Sequence, residues 1–190
     1  DYVVATLGLI LVSPVLLLAA IAIKLDSPGP VLFRQPRVGL NNKVFPCFKL
    51  RTMRVDPADD GSRGTRRDDP RITRVGAFLR ATSIDELPQL MNVLRGEMSV
   101  VGPRPHVPNM KVATNVRYEA IRQYVARYRM KPGITGWAQI NGMRGGINTL
   151  EKAERGVELD LVYIEHWSIW FDIRIMLLTI TKGMAGPAVF

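Results

Sequence analysis

At 190 residues the chain is sized for one domain, or for one domain with an anchor. Its net charge of +9 and pI near 10.1 call for an anionic partner, whether nucleic acid, anionic lipid or a phosphorylated substrate. The single cysteine, Cys47, excludes an internal disulfide and a cysteine metal cluster, and fits a reducing compartment.

The chain opens at Asp1 on an apolar run without a methionine, as expected of a piece of a longer protein. Tyr2 to Ile23 carry no charge, and Lys24 and Asp26 close the run. About twenty apolar residues are what a helix needs to cross the hydrocarbon core. A cleaved signal peptide would have a shorter apolar part and a positive leader. Membrane insertion is therefore predicted. Ser13-Pro14 stands in mid-run, where proline removes a backbone hydrogen bond. Both a kinked span and a re-entrant helix-break-helix remain open, and both put the chain beyond Lys24 at a membrane surface.

Ser27-Pro28-Gly29-Pro30 is a turn cluster. Val31–Gln35 and Val44–Arg51 favour β structure and flank Gly39-Leu40-Asn41-Asn42, so they predict a hairpin or two short strands. Lys49 and Arg51 alternate with Phe48 and Leu50, which puts both cations on one face; that face is either solvated or functional. Asp56 to Asp69 is polar with no apolar period and predicts a loop. From Arg34 to Arg80 there are twelve Lys/Arg against five Asp, so most of the positive charge lies in one quarter of the chain. Ile72, Val75, Gly76, Phe78 and Leu79 recur at helical spacing beside Arg74 and Arg80, a short basic amphipathic helix.

That helix leads into Thr82-Ser83-Ile84-Asp85-Glu86-Leu87-Pro88-Gln89-Leu90. Ser83 and Glu86, three apart before an apolar run, also match a capping box, and an acidic pair suits a helix N-terminus on electrostatic grounds alone. If Ser83 caps, however, Pro88 falls inside the helix, where its ring clashes with the preceding turn. Adjacent helix residues do not face each other. Asp85 and Glu86, if both act, therefore act in different roles. Acids in so basic a setting point to phosphate chemistry.

Met98–Val101 is a short apolar run stopped by Gly102-Pro103-Arg104-Pro105, and the two prolines restrict the backbone around Arg104. The motif is either a rigid bend or a held cation. Tyr118 to Tyr128 predicts a helix of mixed charge. Met130 to Gly146 is glycine-rich but matches neither the P-loop nor the dinucleotide fingerprint, although its amides are able to hold phosphate or a base. Thr149 starts a charged helix to about Tyr163. Trp167 to Ile180 carries too few charges for a solvated helix and too many for a spanning one; two tryptophans with Asp172, Arg174 and Lys182 suit a helix lying among lipid headgroups, or else a core helix.

Taken together these segments resemble the bacterial polyprenol-phosphate phosphoglycosyl transferases, the monotopic sugar transferases that start exopolysaccharide and O-antigen assembly. The matching pieces are Ser13-Pro14, Asp26–Val31, Phe48-Lys49-Leu50-Arg51-Thr52-Met53, Asp69–Arg74, Thr82–Asn92, Gly102–Pro105, Lys131–Gly136 and Trp167-Ser168, in the family's order and over nearly the whole chain. Pro46-Cys47 and His106-Val107-Pro108-Asn109 depart from the commoner pattern.

The resemblance implies an α+β fold. Residues 1–24 would form a re-entrant membrane helix broken at Ser13 and Pro14. Residues 25–190 would form a catalytic domain on the cytoplasmic face of the bacterial inner membrane, with a short β-hairpin and several interfacial amphipathic helices around the active site. It implies transfer of a sugar-1-phosphate from a UDP-sugar to undecaprenyl phosphate with release of UMP. Asp85 would be the nucleophile that forms a covalent phosphosugar intermediate, and Glu86 would help hold Mg²⁺. Covalent catalysis by a carboxylate is an established strategy. A carboxylate attacking a phosphodiester needs its target's charge neutralised, and Lys49, Arg80 and Arg104 occupy the family's phosphate-handling positions. The run Gly136 to Gly145 followed by Leu150-Glu151-Lys152 is similar to the branch that moves glucose-1-phosphate, and Gln139, Asn141 and Arg144 are its candidate nucleotide-sugar residues; galactose-1-phosphate or N-acetylhexosamine-1-phosphate transfer is the alternative. The implied partners are UDP-sugar, undecaprenyl phosphate and inner-membrane lipid, with no nucleic acid. The sequence leaves open whether the chain forms a homo-oligomer.

Two readings of other classes compete. A membrane-tethered module binding nucleic acid or anionic lipid would want aromatics interleaved with its cations, but the basic quarter has only Phe45, Phe48 and Phe78, with Phe33 beside it, none grouped. A glycosyltransferase would release UDP and form no phosphoenzyme.

Overall fold

The computed structural model describes residues 1–55, 69–108, 110–112, 116–117, 121, 123–143, 145 and 149–183. The predicted loop from Asp56 thus lies outside the described residues except for Asp69, as do Asn109 and Arg144.

The first element, α1 (Tyr2–Asp26), is one continuous helix of 25 residues, long and apolar enough to cross a membrane by length and composition. The helix-break-helix expected at Ser13-Pro14 is not formed: helix runs through Pro14. Proline leaves the carbonyl four residues back, that of Ile10, without its usual donor, and the Ser13 hydroxyl donates to that carbonyl at 2.8 Å. The Ser-Pro pair thus carries its own repair. Ala5, Leu9 and Val12 pack against Phe45, Cys47, Leu90, Val93 and Met98, while Leu16, Ala19 and Ile23 pack with Leu50, Leu79 and Ile84. The spacing of these six residues keeps them on one stripe of an α-helix. The opposite side, including Leu7, Leu11, Leu18 and Leu25, is exposed.

Strands β1 (Leu32–Val38) and β2 (Val44–Leu50) pair antiparallel through a 3-10 turn at Leu40–Asn42, where Asn41 and Asn42 take positive φ. Pro36 lies opposite Pro46. Asn92 explains why the sheet tolerates this. Its side chain accepts from the Phe48 amide at 3.0 Å and donates to the Pro46 carbonyl at 2.7 Å. The backbone groups of positions 46 and 48 therefore face away from β1, and a proline there removes no ladder bond. Cys47 is buried in the core beneath.

Helix α2 (Arg74–Ala81) is capped by the Thr73 hydroxyl, which accepts from the Gly76 amide at 2.9 Å. The backbone then turns at Ser83, left-handed at φ +57°, into a 3-10 helix (Ile84–Gln89) and the short helix α3 (Leu90–Leu94). Ser83 makes no side-chain cap, so the capping box is not built. The 3-10 geometry takes in Pro88 where an α-helix from Ser83 would have clashed with it.

Strand β3 (Ser99–Val101) pairs in parallel with β6 (Gly133–Thr135), and β4 (Lys111–Val112) pairs antiparallel with β5 (Val116–Arg117). The helix expected over Tyr118–Tyr128 is, among the described residues, a 3-10 helix at Tyr124–Arg129, started by a left-handed Gln123 that no α-helix could accommodate. Helix α4 (Trp137–Ile140) follows, then α5 (Leu150–Glu165), capped by Thr149 as the sequence predicts, and α6 (Ile169–Gly183). Ile175 of α6 is fully buried, whereas Ile169, Trp170, Leu177 and Ile180 are exposed. The fold is α+β, with an N-terminal apolar helix and short two-stranded sheets.

Candidate active site

Lys49 near the end of β2, Glu86 in the 3-10 helix and Arg104 beyond β3 meet. Glu86 Oε1 accepts from Lys49 Nζ at 2.8 Å and from Arg104 Nη2 at 2.6 Å, and its Oε2 accepts from Arg104 Nη1 at 3.2 Å. Burial alone would raise the Glu86 pKa, but the Arg104 and Lys49 charges and their hydrogen bonds hold it well below the usual carboxylate range. Glu86 is a fixed anion, and it in turn raises the hold of Arg104 on its proton.

Asp85, the preceding residue, is buried, yet among the described residues its carboxylate makes no hydrogen bond or ion pair. Burial pushes its pKa up to about 6, helped by the Glu86 charge and opposed by Lys49, Arg80 and Arg104. Arg80, in the last turn of α2, donates from Nε to the Thr52 hydroxyl at 2.8 Å, and its charge acts favourably on Asp85. Adjacent carboxylates with their acidities driven apart are how protein sites divide chemical roles. Here one is locked by two cations. The other is a desolvated, unengaged carboxylate with cations nearby, which is what a nucleophile aimed at a phosphate needs.

Lys49 of β2 and Arg51 just past its end do not form a solvated face. Lys49 holds Glu86, and Arg51, buried, donates to the carbonyls of Ser27, at 2.7 Å, and Pro28, capping the end of α1. The apolar helix is thereby tied to the strand that carries Lys49.

The Arg104 backbone is held by more than its prolines. The Gly133 amide donates to Pro103 O at 3.0 Å and the Gly102 amide to Thr135 O at 2.8 Å, so the β3–β6 pairing continues into the motif. A Cβ at Gly102, Gly133 or Gly136 would run into backbone across this pairing. The glycines of Gly133-Ile134-Thr135-Gly136 therefore serve close approach here.

Gln139 and Asn141 do not join the cluster. Gln139 is buried, donates to Ile134 O at 3.1 Å and leaves its Oε1 without a partner among the described residues; Asn141 donates to Trp137 O at 2.8 Å. Arg144 lies outside the described residues.

Among the described residues no three His, Cys, Asp or Glu side chains gather. The described residues do not by themselves build a full cation shell. Mg²⁺ bound by one or two carboxylates together with substrate phosphates needs less, and Glu86 fits it on one condition. Both Glu86 oxygens accept from cations, so a phosphate must first draw Lys49 and Arg104 toward itself.

Sequence reading missed Asn92, Arg37 and Arg127, which hold the site's backbone, and Asp160, which holds Arg127. The available signal was a single polar residue inside an apolar run, as in Leu90-Met91-Asn92-Val93-Leu94 and Leu159-Asp160-Leu161-Val162.

The family model described as bacterial sugar transferase matches residues 1–186. The chain is 56% identical over its whole length to an undecaprenyl-phosphate glucose phosphotransferase of Komagataeibacter xylinus, covering 36% of that protein. It is 48% identical to the exopolysaccharide production protein PSS of Rhizobium leguminosarum bv. phaseoli, over 93% of this chain and 89% of that one. It is 38% identical to a UDP-N-acetylgalactosamine-undecaprenyl-phosphate N-acetylgalactosaminephosphotransferase of Aeromonas hydrophila, over 98% of this chain and 43% of that one. The chain thus spans well under half the length of the first and third relatives. It belongs to the bacterial sugar transferase family.

Proposed function

We propose that the chain is a phosphoglycosyl transferase that moves a sugar-1-phosphate from a UDP-sugar to undecaprenyl phosphate. The observation that carries this reading is the division of labour at Asp85-Glu86: a buried carboxylate, unbonded among the described residues, beside one locked by Lys49 and Arg104.

The Asp85 carboxylate attacks the sugar-bearing phosphorus. An O–P bond forms, the bond from that phosphorus to the bridging oxygen breaks, and UMP leaves with the oxygen. An oxygen of undecaprenyl phosphate then attacks the same phosphorus, and the Asp85 carboxylate departs intact. Lys49, Arg80 and Arg104 surround the carboxylate pair as a phosphate would need, and Arg104 moves its fork from Glu86 to phosphate oxygens, the bidentate geometry it already shows. Glu86 would hold Mg²⁺, which supplies charge neutralisation for the diphosphate when bound.

Glucose-1-phosphate is the proposed cargo. The relative named for glucose is 56% identical and the one named for N-acetylgalactosamine 38%. The lipid acceptor and the exposed apolar faces of α1 and α6 support a place at the cytoplasmic face of the bacterial inner membrane, as the first membrane step of exopolysaccharide assembly. With its outer side lipid-facing and both halves packed on the domain, α1 would sit in one leaflet rather than stand clear of the protein.

The deciding experiment supplies the nanodisc-held chain with UDP-glucose, Mg²⁺ and undecaprenyl phosphate and identifies the released nucleotide. UMP is expected. UDP would mean glycosyl transfer and overturn the reading.

A further inference from the structure

Pro103 and Pro105 have no amide hydrogen, so the stretch around Arg104 must be secured largely through its carbonyls. All four from Pro103 to His106 are taken, each by a different donor: Gly133 N at 3.0 Å, Arg127 Nη2 at 2.8 Å, Arg37 Nη1 at 2.8 Å and Val38 N at 2.9 Å. The first and last donors are strand backbone. The carbonyl of Arg104 itself is held by a side chain.

That side chain is buried and is fixed in three directions. Arg127 Nε donates to Asp160 Oδ2 of α5 at 2.7 Å, Nη1 reaches His106 Nδ1 at 3.1 Å, and Nη2 takes Arg104 O, with the guanidinium 5.0 Å from the Tyr124 ring centre. Arginine can only donate, so at this contact His106 Nδ1 is the acceptor, and the Tyr124 hydroxyl lies 2.9 Å from the same nitrogen.

We infer that Arg127, held by Asp160, is the positioning residue that aims Arg104 at the reacting phosphate. This rests on the phosphoglycosyl transfer proposed for the site. A buried ion pair is a poor source of net stability, because desolvation of the two charges offsets their attraction; apolar side chains would fasten α5 to the 3-10 helix as well. What they cannot do is donate to the Arg104 carbonyl while being held from two other sides. Only a planar fork does that, and lysine does not substitute for it. The pinned carbonyl belongs to the same residue whose guanidinium spans both oxygens of Glu86, so a slip of the backbone is passed to the fork.

The test uses Arg127→Lys and, because either single change is able to disturb folding, the paired apolar replacement Arg127→Met with Asp160→Leu. In each the kcat for UMP release should fall about 10- to 100-fold, as misplacement of a distant group typically costs, with the KM for UDP-glucose changed much less. In an Arg104→Ala background the same changes should cost less than about twofold, since nothing is left to aim. Equal losses in both backgrounds, or normal kcat in the paired variant, would overturn the proposal. Amide hydrogen exchange across residues 102–106 separates this from the function itself. Faster exchange in the variants is expected whether or not the parent releases UMP, and exchange as slow as in the parent would sink the positioning role even if UMP is released.

Discussion

Arg104 donates through both terminal nitrogens to Glu86, at 2.6 and 3.2 Å, and leaves the adjacent Asp85 buried among cations but bonded to none of them among the described residues. Two neighbouring acids in one turn thus have opposite electrostatic situations, produced by the cations and the backbone supports around them.

Asp85→Asn should abolish turnover and the covalent phosphosugar intermediate, a loss of at least about 10⁴-fold by comparison with other nucleophile deletions. Since Asp85 makes no hydrogen bond among the described residues, unfolding should shift by less than about 1 kcal/mol. Acid-quenched protein loaded with labelled UDP-sugar reads the first quantity and thermal unfolding the second. A variant that still carries label would reject Asp85 as nucleophile.

Arg104→Ala should lower kcat by about 10²- to 10³-fold, as removal of an anion-stabilising donor does. Lys49 remains on Glu86, so stability should fall by no more than about 1.5–3 kcal/mol. If stability and kcat fall in proportion, Arg104 is a brace for the bend rather than a phosphate ligand.

Asn92→Ala strips the outer edge of β2 of its partner and should cost about 2–4 kcal/mol, because the Phe48 amide and Pro46 carbonyl are left buried and unpaired. Lys49 rides on the same strand, so kcat should drop with the midpoint of denaturation. A midpoint close to that of the parent in detergent would show that another group, or water, takes over the edge.

His106 is held neutral by burial and by Arg127, with its pKa well below the ordinary value. A depressed histidine pKa means that the unfolded chain binds the proton more readily, so stability is lost as pH falls below the unfolded value of about 6.5. His106→Asn removes that titration. Between about pH 7.5 and 5 the parent should lose roughly 1–2 kcal/mol more than the variant. Parallel curves would mean that His106 takes up its proton as readily in the fold as in the unfolded chain.

Much was written in the sequence because it depends on local chemistry. An uncharged run long enough for a membrane, the Thr149 cap, the hairpin, and the basic quarter leading to two carboxylates are all set by neighbours within a few residues. So was the different fate of Asp85 and Glu86, since adjacent residues in a turn cannot face the same way.

Tertiary structure decided what the local rules left open. Ser83-x-x-Glu86 was equally a capping box, and only the arrival of Lys49, 37 residues back, and Arg104, 18 ahead, took the glutamate away from that role. The Pro-Arg-Pro motif announced a stiff backbone, but where it points depends on carbonyl partners from β1, β6 and the 3-10 helix. Asn92 and Asp160 each interrupt a short apolar run, and their partners are distant backbone and a distant charge. A hydrogen bond needs its donor within about 3 Å, and for these residues only the folded chain brings the partner that close.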